Sequence, residues 1–119
     1  RIAGELFAGD PVLTMAQRTK RQHPDGSGRI MELDLLVAAR RHVMVVESKW
    51  RLDAGKIREY VDKLAEFHQF FPEYAGCQVV PVVASVSIEP SVVTFLNRQK
   101  VYGVAMGDET MEVVNPGQF

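Results

Sequence analysis

The chain has 119 residues, 46% apolar and 24% charged, with 14 Lys/Arg against 15 Asp/Glu and a formal net charge of −1. That length holds one domain with its own core and excludes two, and the charge balance excludes nucleic-acid binding by bulk charge alone. A single cysteine, Cys77, excludes an internal disulfide or a multi-cysteine metal cage and suits a reducing, cytoplasmic setting. The charge is unevenly placed. Arg18 to Arg58 carries ten Lys/Arg and five Asp/Glu, leaving four and ten for the rest of the chain. Such a segment either forms one polyanion-binding face or spreads over several solvated surfaces.

RIAGELF, residues 1–7, reads as the last turns of a helix, and Gly9-Asp10-Pro11 breaks it. VLTMAQRTKR, residues 12–21, alternates loosely as a half-exposed strand, and HPDGSG, residues 23–28, is dense in turn formers. RIMELDLLVA, residues 29–38, is a second strand. ARRH turns the chain and VMVVESK, residues 43–49, is a third, so the spacing predicts an antiparallel meander. Asp53 caps a helix expected from Ala54 to about Phe70, with Ile57, Val61, Leu64, Phe67 and Phe71 on its apolar side and Pro72 as its stop.

CQVVPVVASV, residues 77–86, is continuously apolar and reads as a strand buried on both faces, in which Pro81 demands an edge, a bulge or a strand end. Pro90 suits the first turn of a second long helix, and VYGVAM and MEVV supply two further strands. The longest apolar stretch, Val79 to Ile88, is broken by Pro81, Ser85 and Ser87 and is too short to span a bilayer. No signal peptide is visible in these residues, and a first residue Arg1 rather than Met leads us to expect a piece of a longer protein.

One question stands out. VMVVESKWR leaves an apolar strand with Glu47 and Lys49 two positions apart. In an antiparallel hairpin whose turn is centred between Arg40 and Arg41, Asp34 stands opposite Glu47 and Glu32 opposite Lys49. Side chains at i and i+2 share a face, so strict alternation places Glu32, Asp34, Glu47 and Lys49 in one cluster. Opposed Cβ atoms lie roughly 4.5–5.5 Å apart, and like charges so close repel. A shared proton, an intervening Lys49 or a divalent cation would each relieve that repulsion. Mg²⁺ suits the last case, because it takes oxygen ligands from one or two carboxylates and leaves room for substrate phosphate. A metal held there could activate water for phosphodiester hydrolysis, with Lys49 orienting the water or stabilising developing charge.

Asp34-x12-Glu47-Ser48-Lys49, with the Asp on the second strand of a meander and helix, strand and helix following, resembles the PD-(D/E)XK nuclease superfamily over roughly residues 12–104. The resemblance implies a restriction-endonuclease-like α/β fold with an αβββαβ core, a mixed sheet flanked by helices and a first helix largely missing here. It implies one nuclease-like domain over residues 1–119. It further implies Mg²⁺-dependent cleavage of DNA phosphodiesters, the metal held by Asp34, Glu47 and the carbonyl of Ser48, with Mn²⁺ able to substitute. An extra acid from the preceding helix would be Glu5, and Glu32 is either an additional acid or a partner for Lys49. Arg51 and Lys56 are candidate phosphate contacts. The chain is also similar to uncharacterised bacterial nuclease-like proteins and, more distantly, to archaeal Holliday-junction resolvases. It departs from the RecB-like exonucleases, which carry Gln-x-x-x-Tyr on the next helix, because Lys56 precedes Tyr60 here. A homodimer or a neighbouring domain would suit a duplex substrate. The rival reading is an inactive domain of this fold that binds DNA or a protein.

Other conspicuous residues have plainer roles. Trp50 follows Lys49 in the alternation and is expected under the helix. Tyr60, Cys77, Met31, Met44 and Met106 are expected in or near the core. His23, His42 and His68 lack metal-ligand spacing.

Overall fold

The protein is described here by a computed structural model covering residues 2–7, 9–107 and 110–118, without the side chain of Glu5. Its elements are α1 (Ile2–Leu6), β1 (Val12–Gln22), β2 (Ile30–Ala39), β3 (His42–Ser48), α2 (Ala54–Leu64), α3 (Phe67–Phe70), a 3₁₀ turn (Pro72–Tyr74), β4 (Gln78–Ser85), α4 (Pro90–Gln99), β5 (Tyr102–Met106) and β6 (Met111–Val113). This is the expected αβββαβ succession extended by α4, β5 and β6, with a first helix of only five residues. No described helix is long and apolar enough to cross a membrane.

The single long helix expected after Asp53 is instead two. Asp53 does cap α2, accepting the Lys56 N–H at 2.8 Å. At its far end the Glu66 N–H reaches back three residues to the Lys63 carbonyl, and a new turn begins. Phe67 and Phe71 then stack with ring centroids 4.8 Å apart. No glycine or proline marks this break, so periodicity alone runs straight through it.

The six strands form one mixed sheet in chain order. β1, β2 and β3 are antiparallel, β3, β4 and β5 are parallel, and β6 returns antiparallel. One face carries the larger core, where Val43, Val45 and Val83 meet Ile57, Tyr60, Phe67, Phe71 and Leu96 of the helices. The other carries Val37, Met44, Val82 and Val104 under Ala3 and Phe7 at α1. β3 and β4 bury residues on both faces, which explains their continuous apolar runs.

Pro81 stands inside central β4, opposite Val45 of β3. It is tolerated for two reasons. Pairing with β5 begins only at Val82, so the missing N–H lies just outside that ladder. On the β3 side the hydroxyl of buried Tyr60 is inserted between strands: it donates to the Val45 carbonyl at 2.5 Å and accepts the Val82 N–H at 3.2 Å. The expected core role of Tyr60 therefore includes a polar link between α2 and the sheet.

The basic segment does not make one face. Arg21 pairs with Glu73 at 2.7 Å, Arg29 with Glu66 at 2.6 Å and Lys20 with Glu32 at 3.6 Å. Arg40 and Arg41 sit at the hairpin turn, at the other end of β3 from Lys49 and roughly 25 Å away.

Candidate functional site at the carboxyl end of β3

Parallel strands of an α/β sheet gather ligands at their carboxyl ends. Here β3 and β4 end at Ser48 and Ser85, and the loops that follow lie at that end. The hairpin register is the expected one: Leu35 pairs with Val46, Leu36 with Val45, Val37 with Met44 and Ala38 with Val43. One step further stand Asp34 and Glu47, just beyond the last paired residues of the hairpin.

Strict alternation nevertheless fails at this point. Leu33 and Leu36 both pack into the helix-side core, although an odd separation should send them to opposite faces. Across on β1, Arg18, between the pairs Gln17–Leu35 and Thr19–Leu33, takes a left-handed φ of 50°. The Asp34 carboxylate accepts the Ser48 N–H at 2.8 Å. It also borders a cavity of about 240 Å³ with Ser48, Met44 and Val46.

Glu47 leans toward α2 and accepts the Lys63 ammonium at 2.9 Å, with 18% of its side chain exposed. Both carboxylates still act on one group. Burial pushes the Tyr60 hydroxyl far above its ordinary pKa, and the charges of Glu47 and Asp34 push it further, against the Val82 N–H. Tyr60 thus stays neutral between them. Lys49 is exposed, and its N–H donates to the Ala84 carbonyl at 2.9 Å. Glu32 pairs with Lys20 rather than with Lys49, so the compact four-residue cluster on one face is not what the strands build. Glu5 belongs to α1, but its side chain lies outside the described residues.

Arg51 and Lys56 share a cavity of about 460 Å³ with Trp50, Asp53, Ser87 and Glu89. The Lys56 ammonium donates to the Arg51 carbonyl at 2.9 Å and lies 4.0 Å from Asp53. Trp50 is 79% exposed, not packed under the helix. β3 ends at Ser48, so alternation no longer governs position 50.

Lys63 was not singled out from the sequence. Its signal is helical spacing: Tyr60 and Lys63, three apart on α2, share a side of the helix and reach Val45 and Glu47 of β3.

The donor set admits a hard dication in part. Among the described residues no three His, Cys, Asp or Glu side chains converge as a metal cage. Two acids and a main-chain carbonyl fit the chemistry of Mg²⁺, which retains waters and takes phosphate oxygens from substrate. Asp34 and Glu47 each have one oxygen engaged, by Ser48 and Lys63.

No family model matches the chain, and no curated protein matches it. Among solved structures it is similar to the small subunit of the heterodimeric restriction endonuclease R.BspD6I, at 14% identity and a TM-score of 0.45. The match covers 86% of this chain and 56% of that one, so the chain spans little more than half the length of that subunit.

Proposed function

We propose that this domain hydrolyses DNA phosphodiesters with Mg²⁺ or Mn²⁺, using Asp34, Glu47 and Lys49. The observation that carries the reading is the bond from Asp34 to the N–H of Ser48. It brings the acid of β2 to the middle residue of Glu47-Ser48-Lys49, at the carboxyl end of a parallel strand. Asp34, Glu47 and the Ser48 carbonyl would hold the metal, which supplies an activated water and neutralises phosphate charge. The remaining work falls to the chain itself. Lys63 fixes the Glu47 carboxylate and balances its charge. Lys49, exposed two positions after Glu47, would offer an ammonium to the attacking water or to a non-bridging phosphate oxygen. Orientation of the water and stabilisation of developing charge are the roles assigned to it.

The second reading is an inactive domain of the same fold that binds DNA. The Lys63–Glu47 pair favours it, because an ammonium already satisfies the acid that a metal would need. A metal-dependent cleavage assay on supercoiled, single-stranded, duplex and branched DNA separates the two, run beside Glu47→Ala. Mg²⁺ or Mn²⁺ should also raise the Tm of the wild type and not of Glu47→Ala, since a ligand of the folded state alone stabilises it. A Tm shift without cleavage supports a metal-binding but inactive domain; no shift and no cleavage overturns the proposal.

A further inference from the structure

The most exposed large apolar side chain in the described part of the molecule is also its only tryptophan. Trp50 is 79% accessible, above Leu13 at 66% and Met15 at 62%. Exposure of a single aromatic is not by itself informative. What surrounds Trp50 makes it so.

The backbone that carries the indole is fastened on both sides. The Lys49 N–H donates to Ala84 of β4 at 2.9 Å, and the Trp50 carbonyl accepts the hydroxyl of fully buried Ser85 at 2.9 Å. The Arg51 carbonyl accepts the Lys56 ammonium, and Asp53 is committed to capping α2. The ring is therefore held outward by a fixed chain, not by a slack loop. A fixed, exposed aromatic loses little freedom when it binds.

Its neighbours are polar and partly basic. Trp50 shares its cavity with Arg51, Lys56 and Ser87, and Lys49 precedes it in the chain. Asp53 and Glu89 also line the cavity, but Asp53 is spent on the helix cap and on Lys56. An apolar protein surface would find one ring and, in that cavity, only half-buried Leu52 beside it. A nucleotide finds a stacking face flanked in the chain by the Lys49 ammonium and the Arg51 guanidinium, with Lys56 in the same cavity, the combination used to hold single strands.

We infer that Trp50 stacks on an unpaired nucleobase beside the scissile phosphate, so that the domain prefers single-stranded, flapped or frayed DNA to intact duplex. The faces of bases within a duplex are already stacked, and exposing one costs unstacking energy. A free strand offers its faces at once. Arg51 and Lys56 then take the flanking phosphates. This identification rests on the phosphodiesterase reading above, since it places the base next to Glu47 and Lys49.

The sole tryptophan makes the test direct. The protein is titrated with oligo(dT) in EDTA, where no metal-dependent cleavage occurs, and the intrinsic fluorescence is followed; anisotropy of a labelled oligo(dT) gives the affinity independently. Oligo(dT) should quench Trp50, and a blunt hairpin duplex of equal charge should bind more weakly. Trp50→Ala should weaken oligo(dT) binding roughly 5- to 150-fold and Trp50→Phe much less, as stacking predicts. Binding without quenching, equal affinity of Trp50→Ala, or no binding at all would overturn the inference. Cleavage assays on the same proteins separate the two claims. Quenching with no metal-dependent cleavage leaves the stacking role standing and removes the nuclease; cleavage of single strands unaffected by Trp50→Ala does the reverse.

Discussion

The two ends of β3 use the same device with opposite outcomes. At the hairpin end, Asp10 accepts the Arg41 N–H at 2.8 Å and meets the His42 ring at 2.8 Å, and the residue is 5% exposed. At the other end Asp34 accepts the Ser48 N–H, also at 2.8 Å, but is exposed. Asp10 is consumed by its partners, and Phe7 stacks on the His42 ring with centroids 5.5 Å apart. Asp34 has an oxygen to spare and borders an open cavity with Met44, Val46 and Ser48. A carboxylate that caps a strand is structural when its surroundings satisfy and cover it. Left half-satisfied and wet, it is available for chemistry.

Substitution at each end tests this contrast. The largest effect is expected from Asp34→Asn, which should slow metal-dependent DNA cleavage by roughly 10²–10³-fold, the scale of removing one electrostatic element of a site. Its stability should change by no more than about 0.5 kcal/mol, as for ordinary surface positions. Initial nicking rates and a thermal melt measure both; a collapsed melt would make Asp34 a structural cap like Asp10. Next comes Tyr60→Phe, which keeps the ring but strands the Val45 carbonyl and Val82 N–H. A loss of about 1–3 kcal/mol is expected in urea denaturation, and an unchanged midpoint would mean that the strands close directly on each other.

Asp10→Asn should act through pH. The His42 hydrogen bond, with help from the Arg41 N–H, holds the Asp10 carboxyl below its ordinary pKa of 3.8 despite some desolvation. The folded state therefore releases this proton more readily than the unfolded chain. The resulting stability is fully present above that ordinary value and is lost as pH falls through the folded one. The variant should melt below the wild type at neutral pH, the gap should narrow in acid, and cleavage per folded molecule should not change. A gap that persists at low pH would assign the effect to packing instead. The smallest effect belongs to neither end: Arg21→Ala breaks a half-exposed pair with Glu73, and should cost at most about 1 kcal/mol, diminishing with added salt.

Much of this contrast could be read in advance. The turn at Arg40 and Arg41 set the hairpin register, and the register set which residues meet at the far end. Glu47-Ser48-Lys49 could be placed at a strand terminus because four apolar residues precede it and turn-forming, helix-capping chemistry follows. What alternation could not foresee is the left-handed Arg18 on the neighbouring strand, or that Asp34 reaches the Ser48 N–H while Glu32 pairs with Lys20. Nor could it place Trp50, since side-chain alternation ends where the strand does. The α2–α3 break escaped notice because its apolar spacing is the same on both sides.

The order of elements, the hairpin register and the position of the acidic pair were settled by local chemistry: turn residues, caps and apolar period act over a few neighbouring residues. Only the tertiary structure decided that Glu47 faces Lys63, that Tyr60 mends the ladder beside Pro81, and that Trp50 stands in solvent. Each of those depends on which distant surface lies across from a side chain, and that is fixed by packing between elements rather than by the sequence around the residue.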